Sequence, residues 1–132
     1  EKIFKLNLNN NFMVKRVVFE KTGLFDNNFF LYYEDADLSV RMTQKGFKIV
    51  FASKSVVYHK NAGSTGGSGS RLQDYFITRN RLYFGRKYAS FRTKAALLKE
   101  GLRLLAGGRV WQKKGARDYF LHRLGKGTYP LP

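Results

Sequence analysis

Residues 25–41 read FDNNFFLYYEDADLSVR, and this stretch decides how the chain is interpreted. Aromatic side chains crowd its first half, and three of the nine acidic residues of the chain follow within four positions, as Glu34, Asp35 and Asp37. In so basic a chain, this concentration of carboxylates indicates a function rather than surface decoration. Carboxylates this close raise one another's pKa, so one of them can serve as a general base near neutral pH.

The same carboxylates also have a structural interpretation. Acidic residues in the first turn of a helix are stabilised by the helix dipole, and Asp35 suits a capping position. Asp37 stands four residues before Arg41, which is the spacing of a helical ion pair. The two interpretations are compatible if Asp37 is structural and Asp35 is chemical.

The pattern around this stretch predicts strands and helices in alternation. In chain order these are a strand-like segment over 1–14, a helix over 15–22, a helix from the acidic cluster to about 45, and strands over 47–52 and 56–59. Gly23 and Gly46 follow the two helices, where glycine supplies a left-handed C-terminal conformation.

The second half of the chain is predicted to be helical. A Gly/Ser-rich loop over residues 61–70 has little intrinsic order, and helices follow over about 71–89, 91–106 and 110–124. The middle helix has an apolar face and a basic face. The apolar face carries Leu98, Leu102 and Leu105. The basic face carries Arg92, Lys99 and Arg103.

Composition bounds the class of protein. The 132 residues fit one domain. The absence of cysteine excludes disulfides, thiol catalysis and thiolate metal sites. No apolar run approaches the length of a membrane-spanning helix. The first residues lack the apolar segment of a signal peptide, so we expect them to be the interior of a longer chain.

The net charge of +16 is unevenly placed. From Lys60 onward there are 16 Lys and Arg against three acids, whereas the charge before Lys60 is nearly balanced. Such asymmetry favours a polyanionic partner, either nucleic acid or an anionic membrane surface. The alternative is a basic face that only aids solubility.

His59 ends the last predicted strand, next to the Gly/Ser loop. A lone histidine is most often structural. A neutral imidazole at such a position also suits Mn²⁺ or a similar divalent cation.

Four motifs in a fixed order carry a resemblance. They are F-D-x-x-F-F-x-Y-x-E-D-x-D-L-x-x-R over residues 25–41, Gly46-Phe47, Val56-Val57-Tyr58-His59, and Thr78-Arg79-Asn80-Arg81. With their surroundings, over about residues 10–88, they resemble the second half of family-2 glycosyltransferases, in particular the rhamnosyltransferase-like branch.

The resemblance implies an α/β fold, a partial GT-A domain of the nucleotide-diphospho-sugar transferase kind. We expect a short mixed sheet with flanking helices and a helical C-terminal extension. Residues 1–70 would form the acceptor-side half of the catalytic domain, and residues 71–132 the basic helical extension. The family's nucleotide-binding half, with its Asp-x-Asp metal motif, is absent from this sequence, so we expect no transferase activity from these residues alone.

The resemblance also implies a reaction, the inverting transfer of a sugar from a nucleotide-diphospho-sugar to a glycan or lipid-linked acceptor in cell-surface polysaccharide synthesis. Asp35 is implied as the base that deprotonates the acceptor hydroxyl. His59 is implied as a ligand of the divalent metal, Mg²⁺ or Mn²⁺, on the donor diphosphate, and we expect no metal on this chain alone. The residues expected to bind donor or acceptor are Glu34, Asp37, Arg79 and Asn80.

Lipid-linked acceptors imply a peripheral, cytoplasmic location at the inner face of a bacterial membrane. The chief alternative is a basic nucleic-acid-binding module without catalysis. The aromatic residues are not interleaved with the basic run, and no nucleic-acid-binding signature occurs, so we expect no nucleic-acid partner. A second alternative is a membrane-associated module without catalysis, which the acidic cluster disfavours because it would repel anionic lipid. An exposed sheet edge favours a homodimer.

Overall fold

The computed structural model describes residues 3–6, 12–50, 54 and 69–130. The chain divides into two compact units, each built from separated stretches. The first unit holds residues 1–26 and 34–60, and the second holds residues 27–33 and 61–132. The predicted division lay after residue 70, so the structure differs in grouping residues 27–33 with the helical half.

The first unit contains a three-stranded mixed sheet among its described residues, in the order β2-β1-β3. Its strands are β1 (Ile3–Leu6), β2 (Phe12–Met13) and β3 (Lys48–Val50). β1 pairs antiparallel with β2 and parallel with β3. A parallel neighbour requires a long crossover, which accounts for the helical segments between β1 and β3.

Two helices accompany this sheet, α1 (Arg16–Thr22) and α2 (Glu34–Gln44). Both helix predictions are confirmed, and Gly23 and Gly46 each adopt a φ of 76° just beyond the helix ends. The core of the unit joins both helices to the residue just before β3. It consists of Val18, Leu38, Met42 and Phe47.

The second unit contains α3 (Arg71–Tyr88), α4 (Phe91–Gly107) and α5 (Val110–Phe120), with α3 packed on both other helices. Serine hydroxyls cap two of the helices: that of Ser70 accepts from the Gln73 amide, and that of Ser90 from the Thr93 amide. α5 is shorter than predicted: it ends at Phe120, and His122 in the turn that follows has a φ of 57°.

The strand predicted over 56–59 lies outside the described residues, as does most of the Gly/Ser loop. A small mixed sheet with adjacent helices occurs in many α/β proteins, so the GT-A assignment stays a prediction. Among the helices in the described parts of the chain, none has the length and apolar character needed to cross a membrane.

Candidate functional site

The acidic cluster forms the first turn of α2. Glu34, Asp35 and Asp37 all lie there, where the helix dipole favours negative charge. The three carboxylates have different surroundings, and these surroundings separate their roles.

Asp37 is structural in its contacts. Its side chain is fully buried, and the Arg41 Nε donates to its Oδ2 at 2.8 Å, which confirms the predicted ion pair. The same guanidinium donates to the carbonyl oxygens of Thr22, at 2.5 Å, and Leu24, at 2.9 Å. The pair therefore ties α2 to the end of α1. Removing one partner would leave a buried charge uncompensated.

Asp35 is partly exposed. Its Oδ1 accepts a hydrogen bond from the backbone amide of Ala36 at 2.7 Å, and its own carbonyl accepts from the hydroxyl of Ser39 at 2.8 Å. Its Oδ2 has no partner among the described residues. This oxygen is available to accept a proton.

Glu34 has a perturbed carboxyl group. Its Oε2 is buried and has no hydrogen-bond partner among the residues that the structure describes. Burial raises the pKa of Glu34, and the charge of Asp35 adds to the rise, although a backbone hydrogen bond opposes it. The raised pKa predicted for the cluster is therefore found at Glu34. A perturbed carboxyl beside a second carboxylate is typical of functional sites.

The segment that precedes α2, residues 27–33, has an unusual backbone in the second unit. Phe30, Tyr32 and Tyr33 have φ angles of 62°, 65° and 73°. Positive φ is rare for bulky side chains and costs on the order of 1–3 kcal/mol per residue, so such a conformation persists only where surrounding contacts hold it.

Asn80 supplies part of those contacts. It is fully buried, and its Nδ2 lies within hydrogen-bonding distance of three carbonyl oxygens, those of Phe29 (2.8 Å), Leu31 (2.7 Å) and Tyr32 (2.8 Å). Two amide protons are therefore shared among three acceptors. The amide oxygen is also used, since it accepts from the Arg79 Nε at 2.9 Å.

Arg79 supplies the other contacts that hold this segment. It is also fully buried, its Nη2 donates to the carbonyl of Phe29 at 3.0 Å, and its guanidinium lies 5.0 Å from the centre of the Phe76 ring. Burial lowers the pKa of Arg79, and the nearby Tyr75 and Asp118 partly offset the effect. The predicted binding of donor or acceptor by Arg79 and Asn80 stays a prediction. The hydrogen bonds observed for these two residues hold residues 28–32.

Arg79, Asn80 and the carbonyl groups of residues 28–32 together form a clamp. Beside it lies a buried polar network that was not predicted from the sequence. The Tyr75 hydroxyl donates to Asp118 Oδ2, and the same oxygen accepts from the Thr128 amide at 2.9 Å and the Thr128 hydroxyl at 2.5 Å. Burial alone would raise the pKa of Asp118, but these hydrogen bonds outweigh it and lower the pKa. One signal was present: Asp118 is one of only three acids after Lys60.

The described residues do not form a metal site. None of their histidine, aspartate and glutamate side chains gather in groups of three or more that could hold an ion. The carboxylate of Asp37, two residues after Asp35, is already neutralised by Arg41. His59, the predicted metal ligand, lies outside the described residues, and the metal stays a prediction.

Comparisons with known proteins give one partial relationship. No family model matches the chain, and no solved structure does. Two curated proteins are each 39% identical to it over 54 residues, which is 41% of this chain and 18% of theirs. Both are described as N-acetylglucosaminyl-diphospho-decaprenol L-rhamnosyltransferase, from Mycobacterium tuberculosis strains CDC 1551 / Oshkosh and ATCC 25618 / H37Rv. The chain thus matches less than a fifth of their length, and part of it is similar in sequence to a glycosyltransferase.

Proposed function

We propose that this chain is the acceptor-side part of an inverting, family-2 glycosyltransferase of the GT-A fold. Its substrates would be a nucleotide-diphospho-sugar and a glycan or lipid-linked acceptor, in cell-surface polysaccharide synthesis. The observation that carries the proposal is the first turn of α2. There Asp37 is neutralised by Arg41, whereas Asp35 keeps one carboxylate oxygen without a partner among the described residues.

In the proposed reaction, Asp35 acts as the general base. Its Oδ2 takes the proton of the acceptor hydroxyl while the hydroxyl oxygen forms a bond to the anomeric carbon of the donor sugar. The bond from that carbon to the nucleotide diphosphate breaks on the opposite face, and the configuration inverts. The hydrogen bond from the Ala36 amide to Oδ1 fixes the orientation of the carboxylate at 2.7 Å.

A divalent ion in such an enzyme would neutralise the charge that develops on the leaving diphosphate. The described residues do not assemble a site for it. The proposed steps use only the carboxylates of this segment.

Arg79 and Asn80 are proposed as positioning residues. They hold the carbonyl groups of residues 28–32, and Tyr33 then leads directly into Glu34 at the start of α2. Because these residues are continuous in sequence with α2, an ordered backbone over residues 28–32 limits the conformations of the residue that enters its first turn.

The experiment is a donor screen on the whole protein, with Mg²⁺ and Mn²⁺ supplied in separate arms. Release of nucleoside diphosphate that requires an acceptor, together with inverted configuration at the anomeric carbon by NMR, is the expected result. Transfer with retained configuration would exclude the inverting mechanism. If no nucleotide-sugar releases its nucleotide in the presence of Mg²⁺ or of Mn²⁺, the glycosyltransferase proposal is contradicted.

A further inference from the structure

The outer face of α4 carries an apolar stripe that nothing in the described parts of the chain covers. Phe91, Leu98 and Leu102 are 86%, 50% and 54% exposed, and Ala95 between them is exposed as well. Their spacings of four, three and four residues place them along one side of the helix. Three large apolar side chains in a row, rather than one alone, indicate a contact surface.

The buried face of α4 is a different one. Gly101 is its buried residue, and Leu97 and Leu104 are partly buried beside it. Leu98 and Leu102 therefore do not pack into the core of the helical unit. An apolar groove of about 330 Å³ adjoins the stripe, where Phe91 and Leu98 face Leu82 and Tyr119.

Cations border the stripe on both sides. Lys94 lies on one side, and Arg92, Lys99 and Arg103 lie on the other, all of them exposed. The single acid of the helix, Glu100, is partly buried away from the stripe and accepts from the Arg81 guanidinium at 2.9 Å. The exposed side of α4 thus combines large apolar side chains with uncompensated positive charge.

We propose that α4 lies flat on an anionic lipid bilayer, with the stripe of Phe91, Leu98 and Leu102 inserted at the boundary of headgroups and acyl chains. Amphipathic helices that bind membrane surfaces have this composition. Arg92, Lys99 and Arg103 contact lipid phosphates, and attraction to anionic headgroups adds to the apolar contribution. This surface is independent of the transfer reaction proposed above, and each can be correct without the other.

Charge and apolar character together distinguish this partner from two others. A second copy of the chain, docked about a two-fold axis, would bring the same patch against itself, so Arg92, Lys99 and Arg103 would meet their own copies. A nucleic-acid duplex would attract the cations but would gain little from burying Phe91, Leu98 and Leu102. An anionic bilayer can bury the apolar side chains and also bind the cations that border them.

The first test is co-sedimentation of the whole chain with vesicles of phosphatidylglycerol or of phosphatidylcholine. We expect binding to the anionic vesicles at least about tenfold tighter than to the neutral ones. The double variant Leu98→Gln/Leu102→Gln should weaken anionic binding by a similar factor without unfolding, since both side chains are exposed. Leu24→Gln, at a leucine 72% exposed outside α4, is the matched control and should bind as the parent does.

A charge-matched pair tests the basic border. The triple variant Arg92→Glu/Lys99→Glu/Arg103→Glu should lose anionic binding. Three other exposed lysines, Lys21, Lys45 and Lys54, serve as the control. Changing all three to glutamate alters the net charge by the same amount and should lower binding to anionic vesicles far less. If both triple variants lose the same amount of binding to anionic vesicles, the binding depends on net charge alone. That result would contradict a membrane-binding surface on α4.

Insertion itself is tested with Phe91→Trp, compared with the parent, which contains a single tryptophan. Lipids brominated in the acyl chain should quench the added tryptophan. Absence of this quenching, or anionic binding unchanged by Leu98→Gln/Leu102→Gln, would overturn insertion. Duplex DNA is added as a competitor. If it displaces the chain from vesicles, and if the affinity for DNA is unaffected by Leu98→Gln/Leu102→Gln, nucleic acid is the partner instead.

Discussion

The side-chain amide nitrogen of Asn80 lies 2.8 Å from the carbonyl oxygen of Tyr32, two residues before the start of α2. Tyr32 itself has a φ of 65°. One buried amide thus holds a backbone conformation that its own residues disfavour. Contacts of this kind explain how a strained segment can persist next to a candidate catalytic carboxylate.

Asn80→Asp should therefore destabilise the protein strongly. The change keeps the size of the side chain but replaces an amide donor with a carboxyl group that faces three carbonyl oxygens. We expect the free energy of unfolding to fall by about 3 kcal/mol or more, measured by urea denaturation. Asn27→Asp, at an exposed asparagine of the same segment, should change it by less than about 0.5 kcal/mol. Similar effects at both positions would argue against the clamp.

The positioning role needs a readout besides stability. Asn80→Ser in the whole protein, assayed at a temperature where the variant is fully folded, should lower kcat and leave the KM for the donor unchanged. The reason is that residues 28–32 lead into the first turn of α2, which holds Asp35, the proposed base. An unchanged kcat in the folded variant would restrict Asn80 to a structural role.

Gly115 and Gly107 form a matched pair for the packing of the helical unit. A methyl group on Gly115 would overlap the backbone carbonyl of Tyr75, where α5 crosses α3, whereas one on Gly107 would meet nothing within 4 Å. Gly115→Ala should lower the melting temperature, with an overpacking cost of about 1–3 kcal/mol. Gly107→Ala, near the end of α4, should be neutral or stabilising by up to about 1 kcal/mol. Equal melting temperatures for the two variants would contradict this packing.

Asp118 should make the protein sensitive to acid. Hydrogen bonds from Tyr75 and Thr128 lower its pKa from the ordinary 3.8. The stabilisation they provide is present above the unfolded-state pKa and is lost as the pH falls through the lower folded-state pKa. Asp118→Asn should lower the free energy of unfolding by about 2 kcal/mol at pH 7, and the difference between variant and parent should shrink as the pH falls below the ordinary pKa of 3.8. Urea titrations that show a constant gap down to pH 2 would contradict this.

The helices could be predicted because their signals are local. The apolar spacing and Gly23 define α1, and the acidic first turn and Gly46 define α2. The ion pair of Asp37 with Arg41 followed from a spacing of four residues alone. Each of these signals lies within the element that it predicts.

The clamp could not be predicted because its partners are about 50 residues apart. The hydrogen bonds of Asn80 go to backbone carbonyls, which have no signature in the sequence, and no glycine marks the positive φ angles of Phe30, Tyr32 and Tyr33. For the same reason, the grouping of residues 27–33 with the helical unit was not foreseen. The family resemblance implied a ligand-binding role for Arg79 and Asn80, which stays a prediction, whereas their observed contacts are with the chain itself.

The most direct test of the proposed chemistry is the turnover number of Asp35→Asn in the whole protein, with a donor and acceptor identified by the screen. The account predicts that kcat falls by about 10²–10⁴, the usual contribution of a positioned base, while the KM for the donor is unchanged. Asp37→Asn, by comparison, should act mainly on stability through the loss of its ion pair with Arg41. Near-normal turnover in Asp35→Asn, with activity abolished in a folded Asp37→Asn or Glu34→Gln, would contradict the assignment of Asp35 as the base.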